Sequence, residues 1–478
     1  MRQLLKKQDS LAAFNASLEL NPRERQLQAR LDYLQHQMLR QYDSVSFFPH
    51  ARYFYKSQGH MQTTELYQVL RQMPKGGVMH LHASAMGGFK WMVEKVASEE
   101  NCYVYWEEEK EGLPRGKIRF YKPGKQPAGF YPGPELAKND PLFKQKLYDL
   151  ITLDITGDND STDVWAEFQK CFGRIDGFVS YAPLYKDFYR VALQEMLDDN
   201  VQLLELREGL AFPLYDLEHP AGYYTPDTTV RYWQELLAET RQQHPDFQLK
   251  LIYTNLRFLG KEAIMKDLEQ AYALRKKYPD MIKGYDLVAE EDNGHTTLFF
   301  LDNWLKMDSL RKAYGTDMPL CLHDGESSWA SSENLYDAVL LRSKRIGHGF
   351  NLFRFPVLQQ LVKKMDISIE VNPLSNQILG YIRDLRIHPA SNYIRQGIQI
   401  SISPDDPAVF DYSGVTPDFW SIFLAWELDL RDLKQLALNS INYSNLNPRE
   451  KQQALAAFEQ KWQAWVNSSN KILASSGR

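Results

Sequence analysis

Between residues 200 and 402, short apolar runs alternate with longer stretches of helical period. Residues 201–207, 249–253, 282–288, 319–323, 344–348, 367–371 and 398–402 are runs of five to seven residues, most of them rich in Val, Ile and Leu. Such runs predict strands buried on both faces. Residues 261–278 and 356–364 carry apolar side chains three and four apart and predict helices between them. An earlier run, residues 78–82, stops at Ala83, Ser84 and the Gly87-Gly88 pair and adds an eighth strand. Eight strands alternating with helices predict an α/β fold, a parallel (β/α)8 TIM barrel.

The flanks have other patterns. Residues 1–72 predict an N-terminal helical extension, in which Leu27, Leu31, Leu34 and Met38 form a stripe that packs on the body or on a partner subunit. Thr63-Thr64-Glu65 opens a shorter helix that stops before Pro74. Residues 73–478 form the barrel unit. A helix over 89–97 precedes an insertion, residues 98–145, whose Tyr103, Tyr105, Trp106, Tyr121 and Tyr131 are dense enough to pack. A short strand is expected at 117–121, and helices from about 415 to the end.

Composition narrows the partners. The net charge is −5, which gives no positive field for nucleic acid. No apolar run of about 18 residues is present, so no membrane span is expected. Three cysteines, Cys102, Cys171 and Cys321, make no disulfide framework. With no signal-peptide pattern at the start, they point to a reducing, cytoplasmic setting.

The chemistry gathers at the strand ends. His80 and His82 share one face of the first strand, because strand side chains alternate with period two. His323-Asp324-Gly325-Glu326 ends the fifth strand, Arg345-Ile346-Gly347-His348 the sixth, and Asp405-Asp406-Pro407 follows the eighth. A barrel carries these ends to one mouth. Three imidazoles and a carboxylate there suit a divalent cation with a position left for water. Such a cation lowers the pKa of bound water from about 15.7 to about 7. Glu326 and His348 are placed to serve as the acid and the base.

At these residues the chain resembles the adenosine deaminase family of metal-dependent amidohydrolases, and within it the adenosine-deaminase growth factor subfamily. The likeness includes Met73-Pro74-Lys75-Gly76-Gly77, Glu205-Leu206-Arg207, Gly284-Tyr285-Asp286-Leu287-Val288 and Glu291-Asp292-Asn293-Gly294-His295. It continues through Pro373-Leu374-Ser375-Asn376-Gln377 and His388-Pro389. It implies one Zn2+ per chain, or another divalent ion, on His80, His82, His323 and Asp405. It implies that Glu326 protonates purine N1 as hydroxide attacks C6, that His348 orients the water, and that Asp406 bonds to N7. Adenosine or a related 6-amino purine nucleoside then becomes a 6-oxo purine, with loss of ammonia. The resemblance also implies a homodimer through the N-terminal helices and an insertion over or beside the mouth. Trp165 stands where the subfamily lines the ribose, or it simply anchors its helix.

The departures gather on substrate contacts. Ala83 and Ser84 stand where the family has a sugar-facing Asp, and Leu256 where the subfamily has a His. Ala289, followed by Glu290, replaces a Gly whose backbone meets purine N3. Asp324 replaces an Ala, and Asn372 a Cys. The expectation is a retained reaction with altered sugar recognition, with Trp165, Ser84, Ala289 and Asp406 as the substrate contacts. Competing readings are an aminohydrolase of another amino heterocycle and a growth-factor-like binding protein without activity.

Overall fold

The computed structural model describes residues 1–153 and 163–475. Eight strands form the barrel: β1 Gly76–His82, β2 Val201–Glu208, β3 Gln248–Leu256, β4 Ile282–Val288, β5 His323–Asp324, β6 Arg345–His348, β7 Ser368–Val371 and β8 Ile400–Ile402. β1–β4 pair in parallel in sequence order, and so do β5–β8. Two bridges join the halves, Tyr285 to Leu320 on one side and Leu81 to Asp405 on the other. The second bridge closes the ring through His82 N donating to Asp405 O (3.1 Å) and Asp405 N donating to His80 O (3.3 Å).

The expected strand at 319–323 is the main difference in extent. Regular pairing covers only His323–Asp324, and the residues before it hold to β4 by bonds around Tyr285. Helices Lys261–Lys277 and Pro356–Lys364 lie where the periodicity places them.

Helix Pro22–Ser44 starts with a capping box between Asn21 and Glu24. Its buried Leu27, Leu31 and Met38 pack toward the C-terminal helix Pro448–Ser475 of the same chain. Glu24 pins that contact by accepting from Lys434 Nζ (2.7 Å) and Trp462 Nε1 (2.8 Å). The stripe is therefore used within the chain. Helix Arg2–Ala12, by contrast, buries none of its residues. The short helix Glu65–Gln72 is capped by Thr64 and stops before Pro74.

Residues 102–132 form a small antiparallel sheet with Cys102–Tyr105 between Ile118–Phe120 and Phe130–Pro132. It packs on helix Val164–Val179, and Phe120 stacks on Tyr181 with centroids 3.9 Å apart. C-terminal helices follow from Thr416 to Ser475, and residues 476–478 lie outside the described residues. Among the described residues no helix is long and apolar enough to cross a membrane. The three cysteines are buried and unpaired.

Candidate active site

The barrel interior is charged where such interiors are usually branched and aliphatic. Arg207 on β2 reaches Asp286 on β4 (2.7 Å) and Glu370 on β7 (2.6 Å). Arg345 on β6 pairs with Glu370 (2.5 Å) and with Glu205 on β2 (2.6 Å). All five side chains are fully buried. Burial alone would neutralise Glu370, but the two guanidiniums and His80 hold its carboxyl well below the ordinary range.

This network orients the imidazoles above it. His80 Nδ1 lies 2.9 Å from Glu370 Oε2, and His323 Nδ1 lies 2.7 Å from Asp286 Oδ2. A carboxylate only accepts, so each Nδ1 carries the hydrogen and each Nε2 presents a lone pair. The two Nε2 atoms face each other at 2.9 Å. Asp405 Oδ1 lies 3.2 Å from His80 Nε2 and 3.3 Å from His82 Nε2, with no hydrogen-bond donor of its own. Asp405 Oδ2 accepts from Ser375 Oγ (2.7 Å). Lone pairs gathered this closely around a carboxylate repel one another unless a cation sits among them, so the donor set fits a divalent ion.

Potential ligand atoms of His80, His323, His348 and Asp405 lie within 4.8 Å of one another, as do those of His82, Asp405 and Asp406. His348 and Asp405 both have left-handed backbones, at φ 60° and 67°. Non-glycine residues hold that conformation only where the surroundings impose it, and such residues cluster at functional sites.

Glu326 follows the left-handed Gly325. Its backbone N–H donates to Glu291 Oε2 (2.7 Å), and Ser332 and Asn334 hold Glu291 in turn (2.9 Å each). Glu326 Oε2 is 3.5 Å from His348 Nε2, and Oε1 is buried without a partner. Burial, then the nearby Asp405, Glu291 and Asp406 carboxylates, push its pKa well up. Burial and Asp405 do the same to Asp406.

Ser84 is half-buried in the turn Ala83–Ala85 directly after His82. Leu256 and Val288 are paired neighbours in the phase of Asp286, which turns both toward the barrel mouth. Trp165, half-buried near the start of its helix, donates from Nε1 to Tyr381 Oη (3.1 Å). Burial and then Glu326 raise the Tyr381 hydroxyl pKa, so Trp165 reaches the acid end of the mouth through Tyr381.

Asp324 points away from the mouth. Thr297 Oγ1 donates to its Oδ1 (2.6 Å), and Arg257 lies 3.8 Å from that oxygen. Arg257 also donates to the His323 carbonyl, so the pair braces the strand that carries His323.

Ala289 has φ 89°, which shows why glycine suits this position. Ala289→Gly is expected to stabilise the protein by about 1 kcal/mol through relief of that strain. Urea midpoints of the two proteins check this; an unchanged or lower midpoint contradicts it.

Sequence reading missed Glu370, Asp286, Arg207 and Arg345 as supports. Their signal is a charged residue in the inward phase of an otherwise apolar strand. It also gave no role to Asn376 and His388.

A family profile described as adenosine deaminase matches residues 154–461. β1, with His80 and His82, precedes that stretch. Adenosine deaminase 2 of Dictyostelium discoideum is 34% identical over 420 residues, covering 86% of this chain and 76% of that protein. Adenosine deaminase 2 of Homo sapiens is 30% identical over 479 residues, covering 96% and 91%. Among solved structures, adenine deaminase from Arthrobacter aurescens superposes with a TM-score of 0.58 at 19% identity, covering 82% of this chain and 99% of that one. The N6-mAMP deaminase of Arabidopsis gives 0.59 at 17%, covering 82% and 99%. These structural likenesses fix the fold. The profile and the relatives fix the lineage: the chain belongs to the adenosine deaminase family, as a metal-dependent aminohydrolase on a (β/α)8 barrel.

Proposed function

We propose that the chain hydrolyses the 6-amino group of a purine, with one zinc ion held by His80, His82, His323 and Asp405. The convergence of their donor atoms, with the other nitrogens of His80 and His323 tied to carboxylates, carries the reading. A divalent cation held there supplies water of near-neutral pKa as the nucleophile. The chain's own residues do the rest. Glu326, whose pKa burial and its acidic neighbours raise, gives its proton to ring N1 as attack at C6 drives charge there. His348 bonds the attacking water and aims it at C6. Asp406, whose pKa burial and Asp405 raise, bonds to N7. The C6–N6 bond then breaks as the amino group takes the proton that the C6 hydroxyl gives up, so ammonia departs and the 6-oxo purine remains.

Relatives named adenosine deaminase support a nucleoside substrate. The solved neighbours include an adenine deaminase, an N6-mAMP deaminase, and Arabidopsis ADAL seen with IMP and with GMP, which supports chemistry at purine position 6. Ala83, Ser84 and Leu256 stand where side chains that read the substrate are expected, so those partners are absent. Losing hydrogen-bonding partners removes discrimination of up to about 10⁴-fold. In a panel of adenosine, 2′-deoxyadenosine, adenine, AMP and N6-methyladenosine, adenosine is expected to fall at least about tenfold below the best kcat/KM. Adenosine as the best substrate contradicts the altered-sugar reading and leaves the reaction intact.

The homodimer belongs to the same proposal, with helix Arg2–Ala12 as its contact, since Leu4, Leu5 and Leu11 are all more than half exposed. Removing residues 1–13 is expected to shift the sedimentation mass to that of a monomer. Three buried, unpaired thiols fit the cytoplasmic setting proposed with it.

A further inference from the structure

His388 lies 40 residues from His348 in sequence, yet a chain of hydrogen bonds links their rings. The Ala390 backbone N–H donates to His388 Nδ1 (3.1 Å). A backbone amide can only donate, so that Nδ1 is the lone-pair nitrogen and Nε2 bears the hydrogen. His388 Nε2 then donates to Asn376 Oδ1 (3.1 Å). This fixes the Asn376 amide, whose Nδ2 must face the other way, and Nδ2 lies 3.3 Å from His348 Nδ1. Each step follows from the one before, and the first is set by the main chain.

We propose that His388 and Asn376 are positioning residues that hold His348 as the Nε2–H tautomer, so that it meets the attacking water as a hydrogen-bond donor. The inference rests on the proposed placement of His348 against that water. A donor there stabilises charge on the incoming oxygen and takes no proton from it.

Asn372 also approaches the ring, and it tests the assignment. One end of its amide faces the Ser403 and Val371 carbonyls (3.1 and 3.3 Å), so that end is the nitrogen. Its oxygen therefore faces His348, 3.3 Å from Nδ1 and 3.4 Å from Nε2. One ring nitrogen cannot serve the Asn376 donor and the Asn372 acceptor together. Asn376 is locked by the main-chain anchor and has no alternative. With Nδ1 accepting from Asn376, Asn372 Oδ1 takes no hydrogen from His348, and Nε2–H stays free for the water.

The relay is built to stay in one state. His388 is 1% exposed and packs between Phe350 and Trp426, with centroids 5.4 and 5.5 Å away. Burial draws its pKa down to about 3, so its ring stays neutral through the working range.

The test is nitrogen NMR of the histidine-labelled, zinc-loaded enzyme, with His348→Gln used to assign the His348 signals. The expected spectrum shows Nδ1 of His348 unprotonated and Nε2 protonated. His388→Phe, which keeps the ring packing and removes the relay, is expected to mix the two tautomers. It should also lower kcat about 10- to 100-fold, with KM within about threefold. Asn376→Asp, which offers Nδ1 an acceptor, is expected to reverse the tautomer. A wild-type Nδ1 that carries the hydrogen overturns the proposal, as does a His388→Phe enzyme with unchanged tautomer and kcat. The wild-type spectrum decides the matter even if both variants misfold. It is also independent of turnover, so an enzyme inactive on every purine with the expected tautomer indicts the substrate reading alone.

Discussion

Glu326→Gln is expected to cost two to four orders of magnitude in kcat while the protein keeps its cation and its fold. The amide keeps the shape and the backbone bond to Glu291 but has no proton to give to N1. Burial, and then Asp405, Glu291 and Asp406, make the acid costly to ionise where it stands and so raise its pKa, as a proton donor requires. KM should change little, since the proton moves only as C6 is attacked. Steady-state kinetics and elemental analysis on one preparation check both halves. Loss of the cation along with the activity would place Glu326 among the ligands, and near-normal kcat would remove it as the acid.

Glu370→Gln is expected to do damage of two kinds. Glu370 accepts from Arg207, Arg345 and His80 at once, deep in the barrel. Removing one partner of a buried charged set leaves uncompensated charge, at a cost of about 3–5 kcal/mol. A Gln must also turn an N–H toward a guanidinium or toward His80 Nδ1, which unsettles the tautomer that aims Nε2 at the cation. Affinity for the cation should fall about 10- to 100-fold. Denaturant midpoints of the cation-free proteins isolate the first effect, and competition against a chelator isolates the second. If neither changes, Glu370 is a bystander.

The interior network shows where sequence reading stops. β2 reads as an apolar run, and its outward residues Leu204 and Leu206 are apolar, but Glu205 and Arg207 share the inward phase. Arg345 and Glu370 each stand as a single charge in their own strand, and Asp286 shares β4 with Lys283. They become a circuit only when the ring closes at Tyr285–Leu320 and Leu81–Asp405. The proposed ligands were easier to find. His80, His82, His323 and Asp405 each sit at or just past a strand end, so topology alone gathers them.

Asp324 is an intermediate case. Period two puts it on the face opposite His323, which predicts an outward side chain, but Arg257 and Thr297 arrive from other loops. The Asn376–His388 relay was beyond reach for a similar reason. The direction of each bond depends on the Ala390 backbone N–H, and a list of residue types does not show where a main-chain donor points. β5 was overextended because 319–323 has strand composition, and composition does not register that only its last residue pairs regularly with β6.

The central claim is that a cation on His80, His82, His323 and Asp405 drives hydrolytic removal of a purine 6-amino group. The most direct measurement follows ammonia and 6-oxo purine together, for the zinc-loaded protein, the chelated protein and the protein reloaded with zinc. The expected result is equal yields of both products from at least one 6-amino purine, lost on chelation and restored by zinc in proportion to one ion per chain. Turnover that persists in protein stripped of metal, or fully zinc-loaded protein that releases no ammonia from any 6-amino purine, would contradict it.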